Sequence, residues 1–128
     1  METRAEIERI LDRAYAARQK QDINAVFECF GSDGRFRQNG LDRPAADREA
    51  ARSALQDLFD AFDLLEFQGH CRVIEPPRAV VYWRGKFRAK QSGEVAETDI
   101  LDLIEIKDGK IASLTTFFDT ALAARLLA

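Results

Sequence analysis

The stretch AVVYWRGKFRAKQSGEVAETDILDLIEIKDGKIASLTTFFD, residues 79–119, decides the fold. Apolar and polar residues alternate along it in three runs, which Ser92-Gly93 and Lys107-Asp108-Gly109 separate. Alternation with a period of two is typical of strands that bury one face, and short glycine-containing segments between such runs are typical of hairpin turns. The stretch therefore predicts three consecutive antiparallel strands, over residues 79–91, 94–107 and 110–118.

Upstream of this stretch, apolar residues recur at helical spacing. Thr3 followed by Glu6 has the pattern of a capping box and predicts a first helix that runs to about Lys20. Asp22 is a suitable N-cap for a second, short helix that ends before Gly31-Ser32-Asp33-Gly34.

A third helix is predicted from about Asp47 to Leu65. A short strand over residues 35–38 and a polar loop over residues 39–47 precede it. After it, a strand around residues 71–73 is stopped by two prolines, and residues 121–127 predict a terminal helical turn or two.

Helices first and a meander of strands last indicate an α+β fold, in which the helices pack on one face of a curved antiparallel sheet. The chain has 128 residues, which fits one domain over residues 1–128 because a single core grows well up to about 150 residues. The net charge of -3 disfavours a general attraction to nucleic acid, so no nucleic-acid partner is expected.

No apolar run approaches the roughly 20 residues that span a bilayer, and the amino terminus lacks the apolar stretch of a signal peptide. We therefore expect a cytoplasmic protein with no membrane segment. The chain has one histidine, His70, and its two cysteines, Cys29 and Cys71, do not form a metal-type pair. No zinc site of the Cys/His kind and no cofactor are expected, because motifs for either are absent.

The Ser92-Gly93 turn predicts which side chains point toward the helices. A two-residue hairpin at this position places Trp83 directly opposite Asp102. The opposite, outer face then pairs Arg88 with Glu97 and Lys86 with Asp99, so that its charges largely neutralise one another. The register therefore predicts an inward carboxyl group beside an indole.

The second turn leaves two alternatives for Asp102 on its other side. A three-residue loop, Lys107-Asp108-Gly109, places Asp102 beside Leu114 and near Thr116 and Phe118. A two-residue Asp-Gly turn instead places it beside Thr115. A slip of one residue exchanges the two faces of a strand, so these alternatives have different consequences.

Leu101 and Leu103 fall on the outer face of the predicted sheet. Exposed leucines on a sheet suggest a partner surface, and a homodimer is the simplest assembly of this kind.

Nearly the whole chain, roughly residues 3–127, resembles the nuclear transport factor 2-like superfamily, and within it the SnoaL-like and ketosteroid isomerase-like proteins. The resemblance is carried by QDINAVFECF, by GRFRQNG and by the ending TDILDLIEIKDGKIASLTTFFDTALAARLL. It implies a cone-shaped, strongly curved antiparallel sheet wrapped by three N-terminal helices, with an apolar pocket in its mouth. It also implies a homodimer formed through the outer face of the sheet.

The resemblance assigns roles to individual positions. Asp102 matches the aspartic acid that ketosteroid isomerases keep protonated in their oxyanion hole, and Trp83 and Phe118 match pocket-lining positions. Gln38 stands where that family has its catalytic base, and an amide cannot abstract a proton. Tyr15 lies one place from the family's oxyanion tyrosine, about 100° around the helix. Steroid isomerisation by that mechanism is therefore disfavoured.

Asp102 is the candidate catalytic residue. Apolar neighbours should raise the pKa of its carboxyl group, which could then donate a proton near neutral pH. Alternatively, Asp102 only hydrogen-bonds Thr98, Thr116 or the Trp83 indole. The candidates for substrate contact are Tyr15, Phe36, Gln38, Trp83 and Phe118.

Two classes of function remain open. The first is a cofactor-independent enzyme that transfers protons in a small apolar substrate, as an isomerase, cyclase or hydrolase. The second is a non-catalytic protein of the same fold, either a ligand-binding protein or a dimeric interaction module. A second acid–base group could only be His70 or Asp119, but we expect His70 at the surface and Asp119 as the cap of the terminal helix.

Overall fold

A computed structural model of the protein describes residues 2–40 and 44–128, so residues 41–43 of the predicted polar loop lie outside the described residues. The chain forms four helices and five strands within this part. In chain order they are α1 (Arg4–Gln19), α2 (Ile23–Glu28), β1 (Phe30–Gln38), α3 (Arg48–Ala61), β2 (Phe62–Glu75), β3 (Arg78–Ala89), β4 (Val95–Lys107), β5 (Lys110–Phe117) and α4 (Thr120–Leu127).

The predicted helix starts are confirmed. The Thr3 hydroxyl accepts a hydrogen bond from the Glu6 backbone nitrogen, and the Glu6 carboxylate accepts one from the Thr3 backbone nitrogen, which completes the capping box of α1. The side chains of Asp22, Asp47 and Asp119 cap α2, α3 and α4 in the same manner, each accepting from a backbone nitrogen three residues on. Local hydrogen bonds therefore determine where each helix begins.

The five strands form one curved, open sheet in the order β1-β5-β4-β3-β2, which confirms the α+β class and the antiparallel meander from β2 to β5. One pairing differs from the expected all-antiparallel sheet, since β1 runs parallel to β5. β1 begins at Phe30, soon after α2 ends at Glu28, and it contains Gly31 and Gly34. Its pairing with β5 is irregular between Phe30 and Arg35. Its partner lies about 80 residues further along the chain, so local sequence does not indicate the direction of pairing.

The third helix ends earlier than predicted. Phe62 already has extended backbone angles, and β2 takes up the residues from there to Leu65 that had been assigned to the helix. Phe62 pairs with Ala89 at the start of a long β2–β3 ladder. Pairing with a neighbouring strand therefore overrides the helical periodicity of this segment.

The hairpin between β3 and β4 is wider than predicted. The segment between the two strands comprises residues 90–94, and the Gly93 backbone nitrogen donates to the Ala89 carbonyl oxygen at 2.8 Å. A two-residue Ser92-Gly93 turn is therefore not formed. The register of the ladder differs from the predicted one by two residues.

This shift changes the cross-strand partners of the two central residues. Trp83 faces Ile100, and Asp102 faces Val81, so the prediction that Trp83 and Asp102 stand directly opposite each other is wrong. A shift of two residues leaves every side chain on its original face, because side chains alternate with a period of two. Trp83 and Asp102 therefore still point toward the helices as diagonal neighbours.

The same shift changes the outer ion pairs. Arg84 faces Asp99, with a nitrogen–oxygen distance of 3.0 Å, and Lys86 faces Glu97. The predicted pairs of Lys86 with Asp99 and of Arg88 with Glu97 are not formed. The outer charges are nevertheless paired, as expected.

The hairpin between β4 and β5 closes through the two-residue turn Asp108-Gly109, whose φ angles of 53° and 75° are those that a type I′ turn requires. Such a turn alone would place Asp102 beside Thr115. A β-bulge next to Glu105 moves the ladder by one residue and brings Asp102 opposite Thr116. Neither Leu114 nor Thr115 is the direct partner, although the three-residue alternative did place Asp102 near Thr116. The bulge keeps Asp102 on the face toward the helices.

The core lies between this inner face and the helices. Along β4 the buried residues alternate with exposed or half-buried ones, and the helices contribute the buried side chains that meet them. The buried core residues at this junction include Ile7, Leu11, Phe27, Phe59, Ile100 and Ile104. Among the residues described, no helix is both long and apolar enough to cross a bilayer.

Candidate functional site

A cavity of about 130 Å³ lies between the inner face of the sheet and helices α1, α3 and α4. Most of its wall is apolar, and the side chains that form it include Phe36, Leu55, Phe59, Ile104 and Leu114. For comparison, a cavity of about 150 Å³ lined by apolar residues binds benzene. The space therefore suits a molecule of about one ring.

Asp102 is the buried carboxyl group in the wall of this cavity, with 5% of its surface exposed. Its Oδ2 atom accepts two hydrogen bonds, from the Tyr15 hydroxyl at 2.5 Å and from Trp83 Nε1 at 2.9 Å. Within the described ranges, its Oδ1 atom makes no hydrogen bond. Because Oδ2 is occupied as a double acceptor, Oδ1 is the atom available to a ligand and to a proton.

Trp83 is held by aromatic rings around it. Its ring stacks on Phe67 with a centroid distance of 4.8 Å and packs against Phe87 at 6.2 Å. Gly85 permits this arrangement, because a Cβ atom there would lie 2.4 Å from the Phe87 ring and 2.8 Å from the Trp83 ring. The indole N–H therefore stays directed at Asp102.

Tyr15 lies on the buried face of α1. Its whole side chain is buried, and its hydroxyl donates to Asp102. Burial raises the pKa of the Tyr15 hydroxyl well above its ordinary value, and the nearby Asp102 raises it further. The hydroxyl therefore remains a neutral donor throughout the neutral pH range.

This raised pKa predicts a specific loss of stability at alkaline pH. The contribution of the neutral Tyr15 hydroxyl is fully present below the unfolded pKa, near 10.0, and is lost as the pH rises through the higher folded pKa. At neutral pH, Tyr15→Phe should lower the free energy of unfolding by about 1–3 kcal/mol, because Asp102 loses a donor. Urea denaturation should show this difference narrowing as the pH rises above about 10. If the free energies of unfolding of the two proteins change in parallel with pH, the prediction is contradicted.

Arg18 is a residue that sequence reasoning missed. Its guanidinium carbon lies 5.1 Å from the centroid of the Phe59 ring and 5.9 Å from that of the Trp83 ring, and its side chain lines the cavity. Burial lowers the pKa of Arg18, whereas Asp102 and Tyr15 raise it. The sequence feature that could have identified Arg18 is its spacing. Arg18 follows Tyr15 by three residues and so lies on the same helix face.

The other predicted site residues divide into two groups. Phe36 and Phe118 line the cavity together with Tyr15 and Trp83. Gln38 pairs with Thr116 at the end of β1 but is not among the described residues that line the cavity.

The two candidates for a second acid–base group also differ in position. His70 is exposed and stacks on Tyr82 at a centroid distance of 4.9 Å, on the outer face. Asp119 is exposed at the edge of the cavity, where its carboxylate accepts from the Leu122 backbone nitrogen at 2.9 Å as the cap of α4. In the part of the chain that the structure describes, no cluster of three or more His, Cys, Asp or Glu side chains could hold a metal ion.

A curved open sheet with helices on its concave face, enclosing an apolar cavity with a carboxyl group in its wall, defines a class of small α+β pocket proteins. The SnoaL-like domain family matches residues 11–114, and the chain belongs to that family. No curated protein matches the chain in sequence.

Solved structures show the same fold. A protein provisionally described as an isomerase from Bacillus subtilis superposes with a TM-score of 0.85 at 13% identity, covering 99% of this chain and 96% of that one. A provisional polyketide cyclase from Xanthomonas campestris pv. campestris gives 0.80 at 16% identity, covering 98% of both chains. An NTF2-like protein from Burkholderia thailandensis gives 0.77 at 18% identity, covering 94% of this chain and 95% of that one. These superpositions confirm the predicted fold, and the domain match over residues 11–114 confirms the predicted SnoaL-like family.

Proposed function

We propose that the protein binds a small, largely apolar organic molecule in the cavity and moves a proton within it, with Asp102 as the acid–base group. The observation that carries this proposal is the geometry of the Asp102 carboxyl group. Tyr15 and Trp83 hold Oδ2, so that Oδ1 is left at the cavity wall. A positioned carboxyl group with one oxygen open to the ligand is suited to general acid–base catalysis.

The simplest step of this kind is enolisation of a ketone. Asp102 Oδ1 takes a proton from the carbon next to the carbonyl group, and the electron pair of the broken C–H bond forms the enolate C=C bond. The carbonyl π electrons move to the oxygen. Return of the proton to the same or another carbon completes an exchange or an isomerisation, and it regenerates the carboxylate. The names of two structural neighbours, an isomerase and a polyketide cyclase, are consistent with this class of chemistry.

Hydrogen exchange tests the proposal. The protein is mixed in D₂O with cyclohexanone or indanone, whose rings approximate the size of the cavity, and loss of the α-hydrogen signal is followed by NMR. Saturable exchange above the rate in buffer is the expected result. If the ketones bind saturably but none of them exchanges its α-hydrogens faster than in buffer, catalysis is contradicted.

A ligand-binding protein without catalysis is the alternative, and one observation favours it. Of the two candidates for a second acid–base group, His70 lies on the outer face and Asp119 already caps α4. A mechanism that needs one residue as the acid and another as the base would therefore lack its second residue. Enolisation and reprotonation by a single group requires only Asp102.

We also propose that two copies of the chain associate through the outer face. Cross-strand pairing aligns two apolar rows there, which we call the outer patch: Val73, Val80 and Leu103 in one row, and Cys71, Tyr82, Leu101 and Phe117 in the other. Val73 is 59% and Leu101 is 38% exposed. The neighbouring Arg84 is already paired with Asp99, so the patch requires no oppositely charged partner. The outer patch of a second copy of the chain is an apolar surface of this kind.

Leu103→Glu should convert the dimer to a monomer. Two added carboxylates would be desolvated near the centre of the interface, and the dissociation constant should rise by at least about 30-fold. Light scattering coupled to size-exclusion chromatography measures the mass, and circular dichroism checks the fold. Leu127→Glu is the matched control, since Leu127 is an exposed leucine on α4, outside the outer patch. A monomeric wild type at micromolar concentration would contradict the assembly.

A further inference from the structure

We propose that Arg18 binds an anionic group of the ligand, so that the cavity selects small organic acids over neutral molecules of the same shape. This inference deepens the proposed function, because it concerns the ligand of the same cavity. It names the ligand's chemical class and a recognition residue on α1.

The position of the Arg18 side chain is the first argument. Helix α1 places it one turn after Tyr15 on the buried face, and its guanidinium group lies near the rings of Phe59 and Trp83. Aromatic neighbours restrict the rotation of a planar guanidinium group. The cation is therefore presented to the cavity in a limited range of orientations.

The second argument is that no carboxylate among the described residues forms a direct ion pair with this cation. Arg72 and Arg88 pair with Asp12 and Asp63 at 2.7 Å and 3.0 Å near the surface. The Arg18 guanidinium group, by contrast, forms neither an ion pair nor a hydrogen bond with a side chain in the ranges that the structure describes, and the charge of Asp102 acts on it only without direct contact. Arg18 is half-buried, and a cation partly removed from water is unfavourable unless an opposite charge or hydrogen bonds compensate it. An anionic ligand group would supply both.

The shape of the cavity restricts the class of acid. A guanidinium group matches the two oxygens of a carboxylate through two parallel N–H···O bonds, and an enolate or phenolate oxygen could accept similarly. The remaining wall is mostly apolar and encloses about 130 Å³. A second anionic group beside the Asp102 carboxylate would be repelled. We therefore expect a one-ring acid whose anionic group lies at Arg18 and whose ring lies toward Asp102.

Benzoate and benzyl alcohol are a suitable pair of probes, because they have similar size and differ in charge. Isothermal titration calorimetry of the wild type should show at least about tenfold tighter binding of benzoate. Arg18→Gln should remove this preference while leaving the affinity for benzyl alcohol within about twofold, and Arg18→Lys should retain part of it. Arg13→Gln, which removes an exposed arginine from the same helix, should bind both probes as the wild type does.

Three results would overturn the inference: no binding of benzoate, equal binding of the two probes by the wild type, or equal weakening of both by Arg18→Gln. If Arg18→Gln does not fold, the wild type and Arg18→Lys still provide the comparison. Calorimetry of the two probes and hydrogen exchange of a ketone test the two proposals by separate measurements. A benzoate preference without hydrogen exchange would therefore refute catalysis alone, and exchange without the preference would refute the role of Arg18 alone.

Discussion

Asp102→Asn should slow hydrogen exchange of a bound ketone by about 10²–10⁴-fold, the usual contribution of a positioned acid–base group. Asparagine has nearly the same shape and can still accept from Tyr15 and Trp83 through its amide oxygen. It cannot take up a proton at the position of Oδ1. The binding of the ketone should therefore change much less than the rate of exchange.

The matched control for this substitution is Asp99→Asn. Asp99 lies on the same strand but on the outer face, where it pairs with Arg84. The control should exchange at the wild-type rate. An Asp102→Asn protein that exchanges as fast as this control would remove Asp102 from the chemistry and leave it a structural role with Tyr15 and Trp83.

Trp83→Ala should produce the largest loss of stability among single substitutions in this site, about 3–5 kcal/mol. Trp83 is 1% exposed, and its ring contacts Phe67, Phe87 and Tyr15. Truncation leaves a void against these rings and removes the Nε1 donor from Asp102. Chemical denaturation monitored by circular dichroism measures the change in the free energy of unfolding.

Trp83→Phe separates the two parts of that loss. Phenylalanine restores most of the ring volume but has no N–H group, so the expected cost is about 1–3 kcal/mol. Because a domain has only about 5–15 kcal/mol of stability, Trp83→Ala could populate the unfolded state, and Trp83→Phe then carries the test. If the phenylalanine variant were as unstable as the alanine variant, the hydrogen bond to Asp102 would outweigh packing.

The spacing of residues along a strand was sufficient to predict the inward face of β4. Asp102 falls among buried isoleucines because side chains alternate, and neither the two-residue shift on one side nor the bulge on the other changes that alternation. Trp83 was predicted on the same face for the same reason. The individual cross-strand partners depend on loop geometry, and their prediction was wrong.

The roles of Tyr15 and Arg18 could not be derived from α1 alone. Helical spacing places both residues on one stripe, but it does not say how far that stripe reaches over the sheet. The approach of α1 to β4 decides that the Tyr15 hydroxyl meets Asp102, 87 residues away along the chain. A charged residue next to a buried stripe is usually assigned to the surface, and for this reason Arg18 was missed.

Residues near one another in the chain determined the helix caps, the three strands of residues 79–119 and the face on which the acid lies, because hydrogen bonds within a turn and the alternation of a strand are local properties. The tertiary structure alone decided the parallel pairing of β1, the end of α3 and the meeting of Asp102, Tyr15, Trp83 and Arg18 around one cavity. Those features depend on contacts between segments that are distant in the chain, and their energies appear only when the helices pack on the sheet.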